Sequence, residues 1–344
     1  MKQPKIHYEN CLATLNISDE MFTDDFLYEI LDNIKKSNKF DKNAKTYLRG
    51  IYLMLYKFKS TGKKIFKFSN DLCLLLNKTS LKKVDTETLN VPYKTFYING
   101  FDVLDIKTPE GALINCAYVD YEIIPPEEKA AACKHFKGQY DINLKENEPI
   151  YSIIFTFATE QIVNSDTIDQ FILPFYYNKG NLLEIFRNHI KFYNSIYNAE
   201  SQKFLLKLIR FILNCILYLT SDDALIERIK PKDFVGKKKS KKKIQKAVRH
   251  AGTNIPYNYV GRNIVIDRKD RNQYLNSNTR DNVKEYTGRW MMMGHWHSYW
   301  VNEIKDDHKV KYFDEGKNKY LIRKFIKPYF KGDGIVIDKQ YIVK

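Results

Sequence analysis

The sequence is poor in the residues on which the common small-ligand folds depend. It has only 14 glycines, and none of them forms a Gly-x-Gly-x-x-Gly, Walker or Gly-x-Ser-x-Gly pattern. Those patterns exist because a backbone must approach a phosphate closely or expose a nucleophile on a tight turn. Their absence argues against the usual nucleotide-binding and hydrolase folds, and no cofactor or small-molecule substrate is expected. Cysteine is scarce and scattered. Cys11, Cys73, Cys116, Cys133 and Cys215 are odd in number, widely spaced and never in a Cys-x-x-Cys pair. That excludes a disulfide framework or zinc knuckle and fits a reduced, cytoplasmic protein. Long apolar runs are also missing. Phe204–Leu219 is the richest in Leu and Ile, but Lys207, Arg210 and Asn214 interrupt it, with Lys203 just before. A membrane-spanning helix needs ~20 mainly apolar residues. The spacing of those four polar residues puts them on one helical face, so the segment reads as a core helix with one wet stripe. Met1–Ser18 has no basic segment followed by an apolar stretch, so no signal peptide is read.

Acidic residues are in deficit as well: 41 Asp and Glu face 57 Lys and Arg, a formal net charge of +16. A field of that sign favours anionic partners such as nucleic acid, ribosomes or acidic protein. The alternative reading of the lysine content is the codon bias of an AT-rich genome. The 44% hydrophobic share is enough for a packed core in a chain of 344 residues, which makes one large domain or two ordinary ones.

Hydrophobic periodicity assigns an α+β fold with a helical N-terminal part, a central antiparallel sheet with packed helices and a β-rich C-terminal part. Met21–Lys36 and Asn43–Lys59 repeat apolar residues at helical spacing. The first has acids early and lysines late, as the helix dipole favours. A short helix is expected from Ser69 to Leu76. The period then changes. Tyr93–Leu104, Ala112–Ile124 and Ile150–Phe157 are rich in β-branched and aromatic residues, and the second does not alternate, so it is expected to be covered on both faces. Pro125-Pro126 stops it. Asn181, with Glu184 three positions on, caps a helix running to about Tyr197. The core helix Gln202–Leu219 follows, and Ser221 or Asp222 is read as capping a short helix that ends near Ile229. Strands are expected at Tyr257–Ile266, Tyr320–Phe330 and Ile335–Val343, with a charged hairpin or loop at Glu303–Lys319. The resulting divisions are residues 1–85, 86–229, a basic linker at 230–256, and 257–344.

Two signals stand out for function. The linker contains Lys237, Lys238, Lys239, Lys241, Lys242 and Lys243, followed by Lys246 and Arg249. Such a run repels itself and is expected to be exposed and mobile, either as a solvated linker or as a nucleic-acid contact through counterion release. Basic and aromatic residues near the C-terminus, such as Arg323, Lys324, Lys327 and Tyr329, can extend it toward single-strand binding.

The second signal is Gly288–Trp300, which contains all three tryptophans of the chain. If extended, it places His295, His297 and Tyr299 on one face and Trp296, Ser298 and Trp300 on the other. Several readings stay open. His295 and His297 can ligate a metal with a third ligand from His308, His250 or Asp306. They can act as the acid–base pair of a metal-independent nuclease. The strand can be a recognition surface with aromatic anchors, or it can be structural. On the face division, truncating Trp296 or Trp300 destabilises the core, whereas altering His295 or His297 changes function with less effect on folding.

Gly294-His-Trp-His-Ser-Tyr-Trp300 resembles the late Arg-Gly/Ala-His-Trp-His-x-Tyr-Trp motif of one family: the second type V-A anti-CRISPR inhibitor and its mobile-element relatives. The family's following basic-aromatic strand with a proline is matched by Ile322–Pro328. Val91–Ile98 is similar to its first central strand, and Leu217–Leu219 with Arg228–Lys232 keep the family order, so the resemblance spans roughly residues 20–332. It departs in the lead-in. The family's Arg-Pro-His-x-Arg-Arg is replaced by Gly288-Arg289-Trp290-Met291-Met292-Met293, and the lysine run is denser. The resemblance implies a binding protein that recognises a nascent N-terminal peptide on the ribosome and leads to decay of its message. Arg289, His295, Trp296, His297, Tyr299, Trp300 and Arg323 would then border the peptide, and the lysine run would hold RNA or the ribosome. A nucleic-acid-binding protein or a His-based nuclease is the alternative.

Overall fold

A computed structural model describes residues 6–82, 84–108, 111–140, 143–158, 170–192, 199–221, 224–229, 255–266, 290–292, 294–305, 312–327 and 329–331. Three helices come first: α1 (His7–Thr14), α2 (Asp24–Lys36) and α3 (Lys42–Ser60). Local chemistry sets the starts of the two longer ones. The Thr23 hydroxyl accepts from Phe26 N and the Asp41 carboxylate from Ala44 N, each satisfying an amide that the helix leaves unbonded. A short strand β1 (Ile65–Phe68) then leads through Ser69 into α4 (Asn70–Asn77). Ser69 holds two elements at once: it caps α4 at Leu72 N and donates to Gly261 O at 2.8 Å.

The centre is one seven-stranded sheet. Its members are β1, β2 (Thr95–Asn99), β3 (Cys116–Ile123), β4 (Tyr151–Ala158), β5 (Gln170–Tyr177), β6 (Ile226–Ile229) and β7 (Tyr257–Val260), in the order β5-β4-β3-β2-β1-β7-β6. The antiparallel strands expected from the sequence are β2 to β4, and β5 extends them as a meander at the sheet edge. The sheet as a whole is mixed, because β1 runs parallel to both β2 and β7. Gly100, at φ +93, ends β2 where the chain passes the backbone of Phe68. A Cβ there would lie 2.6 Å from Phe68 O, so only glycine fits.

Both faces of the sheet are covered. On one side α1 to α3 pack Tyr8, Phe22, Leu55 and Phe58 against Ile65, Tyr97 and Tyr118. On the other, α4, α6 (Leu182–Phe192) and α7 (Ala199–Leu219) pack against Phe66, Phe96, Ile98, Val119 and Phe155. This double cover is why Cys116–Val119 are buried in succession and do not alternate. No helix among the described residues is long and apolar enough to cross a membrane. A further helix, α5 (Lys129–Tyr140), follows the Pro125-Pro126 stop.

The remaining strands form two small sheets. β9 (His295–Val301) pairs with β11 (Lys319–Ile326), which also pairs with β10 (Tyr312–Asp314). β8 (Trp290–Met292) pairs with β12 (Tyr329–Lys331). The charged hairpin expected over Glu303–Lys319 is realised in part as the β10–β11 turn.

The segment after Ser221 differs from the sequence reading: it is strand β6, not a short helix. The Ser221 hydroxyl bonds back to Tyr218 O and so closes α7, and the next residues pair antiparallel with β7 at the sheet edge. Four residues carry too little periodicity to reveal that pairing. The strand expected at Ile335–Val343 and the basic run lie outside the described residues.

Candidate functional site

The motif strand β9 hangs from the end of α4. Gly294 forms a parallel bridge with Thr79, and Ser80 N donates to Gly294 O at 2.8 Å. Two residues later Trp296 drives into the main core, leaving 5% of its surface exposed. Its ring lies 5.0 Å from Phe325, which is met edge-on by Tyr218. A buried indole N–H needs an acceptor, and Asn214 Oδ1 provides one at 2.9 Å. The Asn214 amide donates in turn to Leu76 O at 3.2 Å and Thr79 O at 3.0 Å. Just before it on α7, Arg210 donates to Asn77 O at 3.3 Å.

These contacts revise the wet stripe of α7. Lys203 and Lys207 are exposed, but Asn214 is completely buried. Its end of the row donates to carbonyls at and just beyond the C-terminus of α4, where a cation such as Arg210 also suits the dipole. Asn214 therefore links α4, α7 and the motif strand. Sequence reasoning missed this role. The available signal was an amide in an otherwise apolar helix, because a buried amide must find partners.

The two faces of β9 divide as alternation demands, but only part of the inward face is core. Register with β11 sets Phe325 opposite Trp296, Arg323 opposite Ser298 and Leu321 opposite Trp300. Trp296 is buried, whereas Ser298 is exposed and Trp300 is 37% exposed with Lys317 Nζ 4.3 Å from its ring centre. Trp296 is the residue of this face that bonds to α7, through Asn214. On the other face His295 and His297 are exposed, Tyr299 is half-buried, and the rings of His297 and Tyr299 stack 6.3 Å apart. Lys324 lies opposite His297 and is exposed. His295, His297, Tyr299 and Lys324 thus form one row of polar and aromatic groups on an anchored strand.

Arg323, expected among the partner-contacting residues, points inward and is 2% exposed. It donates to Thr88 O. Burial pulls its guanidinium down to about 10, against the opposing pull of Asp85, and it stays charged at neutral pH. In this conformation it holds the small sheet against the Thr86–Thr88 turn and offers no surface contact. Arg289, Lys237–Lys243, Lys246, Arg249, and the possible third metal ligands His250, Asp306 and His308 lie outside the described residues. Among the described residues no group of three or more His, Cys, Asp or Glu is placed to hold a metal ion.

The fold and the strand together define an α+β protein that displays a His/Tyr/Trp surface on a small sheet locked to the core. The sequence profile of the AcrVA2-like family, anti-CRISPR type V subtype A2, matches residues 66–330, which span β1 to β12 and include the motif. The protein belongs to that family of anti-CRISPR inhibitors. A crystal structure of AcrVA2 aligns over 88% of this chain and 82% of its own, at 14% identity and a TM-score of 0.42. No curated protein matches.

Proposed function

We propose that this protein is an anti-CRISPR inhibitor of a mobile element that acts in the cytoplasm by lowering production of its target. In this reading it binds the N-terminus of a nascent polypeptide and promotes decay of the message being translated. Family membership supports the inhibitor class. The observation that carries the binding reading is the row of exposed His295, His297 and Lys324 with Tyr299, mounted on a strand whose Trp296 is fixed in the core and whose far end shows the ring of Trp300 on the opposite face. Rigid aromatic groups beside hydrogen-bonding side chains are what a peptide-binding surface uses. The net charge of +16 supports work close to ribosomes and mRNA. The target is a type V-A effector nuclease or another nascent protein, since the lead-in from Gly288 to Met293 departs from the family pattern.

The test is co-expression with reporters that carry different N-terminal leaders, reading message and protein together. The expected result is loss of message for one leader, preserved under synonymous recoding and abolished by a frameshift. Equal message for all leaders would remove peptide recognition and return the weight to nucleic-acid binding or a His-based nuclease.

A further inference from the structure

Strands β1, β6 and β7 meet at a cavity of about 140 Å³ that lies apart from the motif strand. It is lined by the Gly62–Ile65 turn, Tyr93, Arg228 and Ile255–Asn258. Drug-sized ligands occupy pockets of ~300–1,000 Å³, so this cavity takes one chemical group and not a whole metabolite. Its lining names the group. Lys63, Lys64 and Arg228 are present, and none of the lining residues is acidic.

The acids nearby are already engaged. Asp19 is paired with Lys63 at 2.5 Å, and Glu227 grips Arg262 with both oxygens at 2.7 Å. Among the described residues Lys64 and Arg228 have no ion-pair partner. Arg228 is exposed and lies opposite Asn258 in the sheet register, so the two share a face toward the cavity. Lys64 sits over the ring of Tyr93, 5.3 Å from its centre, and Tyr93 is 42% exposed at the rim.

The connection between β6 and β7 gives the occupant its polymeric character. Arg228 and Ile255 flank residues 230–254, which carry ten Lys or Arg and a single Asp. The most basic segment of the chain is thus the sequence that joins β6 to β7, and both strands contribute to the cavity lining. A polymer with a negative charge on every unit and a flat ring beside it matches a small cationic cavity, an adjacent tyrosine and a neighbouring basic run in the sequence.

We infer that the cavity is a phosphate subsite for single-stranded nucleic acid. Lys64 and Arg228 contact the phosphate oxygens and Tyr93 stacks on the neighbouring base. The inference does not rest on peptide recognition: the leader reporters can fail while oligonucleotide binding stands, and the reverse.

The experiment uses the full chain, titrated with fluorescein-labelled oligouridylate over a series of salt concentrations. It is repeated in a background where Lys237, Lys238, Lys239, Lys241, Lys242 and Lys243 are Gln. In both backgrounds Lys64→Gln with Arg228→Gln should lower the slope of log K against log salt by about 1.4, or ~0.7 for each lost single-strand phosphate contact. Tyr93→Leu should weaken binding about fivefold or more and leave the slope unchanged. Oligothymidylate in place of oligouridylate tells RNA from DNA. On the unmutated protein, bound oligonucleotide should protect Lys64 from acetylation and leave Lys36, at 74% side-chain exposure, reactive. An unchanged slope in the double variant, no protection of Lys64, or equal competition by poly-glutamate of the same charge would overturn the assignment.

Discussion

Trp296 and Trp300 occupy the same face of the same strand, and the molecule uses them in opposite ways. Trp296 sits over Phe325 with its N–H on Asn214, while Trp300 lies at the edge under the ammonium of Lys317. The histidines divide similarly. His7, the first residue of α1, is buried against Tyr118, and His189 on α6 donates from Nε2 to Tyr176 O of β5, whereas His295 and His297 face solvent. Residue type therefore does not decide which side chains hold the fold and which are available to a partner. Position against the rest of the fold does: Trp296 meets α7 at Asn214, whereas Ser298 and Trp300 on the same face stay exposed.

The sharpest way to break this comparison is to truncate both tryptophans. Trp296→Ala removes a buried aromatic, at a cost of ~3–5 kcal/mol, and leaves the Asn214 acceptor without its donor, a further ~1–3 kcal/mol. Trp300→Ala removes an exposed ring and one cation–π contact, expected to cost below ~1 kcal/mol. Urea denaturation of both variants checks this. Equal losses would mean that the outer half of β9 is as much core as the inner half. A cycle of Trp296→Phe with Asn214→Leu sharpens the result, because groups in direct contact should couple by ~0.5–3 kcal/mol.

Much of this arrangement was legible in the sequence, and the gaps have physical causes. Helices α2, α3 and α4 carry their own caps at Thr23, Asp41 and Ser69 together with apolar periodicity, so local information was sufficient. α1 was not visible. It follows Ile6, which has no side-chain acceptor, and Glu9 must reach back to the Ile6 amide at 3.2 Å. β2 to β4 showed themselves through β-branched and aromatic residues. β1, only Ile65–Phe68, and β5, which contains Pro174, did not; the proline sits on an edge strand, where its missing N–H costs no ladder bond. In the site, alternation separated Trp296 from His295 and His297 correctly. It could not tell Trp296 from Trp300, nor turn Arg323 inward, because those outcomes depend on where α7 and the Thr88 turn lie in space. Asn214 was read as wet for the same reason.

The buried histidines offer a second contrast. Burial lowers both His7 and His189 from 6.5 to about 4. In the unfolded chain each takes a proton as pH falls through 6.5, while in the folded protein each stays neutral until about 4. The unfolded state therefore binds more protons in this window, and stability falls as pH drops from 6.5 toward 4, by on the order of 3 kcal/mol for each histidine. Above pH 6.5 neither contributes any pH dependence. Melting temperatures across this range check the sign. His7→Gln should make the fall shallower; an unchanged slope would show that His7 is protonated in the folded state.

The smallest effect on folding should come from the exposed row, and it is the one that separates recognition from structure. His295→Ala and His297→Ala remove side chains that face solvent, on a strand held by Gly294 and Trp296, so stability should change by no more than about 0.5 kcal/mol. The His297 change also breaks the stack with Tyr299 and is expected to be the larger of the two. In the leader-reporter assay both variants should lose most of the message reduction at unchanged protein abundance. Trp300→Ala should do the same, since its exposed ring lies at the open end of the strand. Full repression by all three variants, with melting temperatures intact, would place peptide recognition elsewhere on the molecule and leave β9 as a structural brace. Repression lost together with a large fall in melting temperature would instead show that the open half of β9 carries the fold as much as its buried half does.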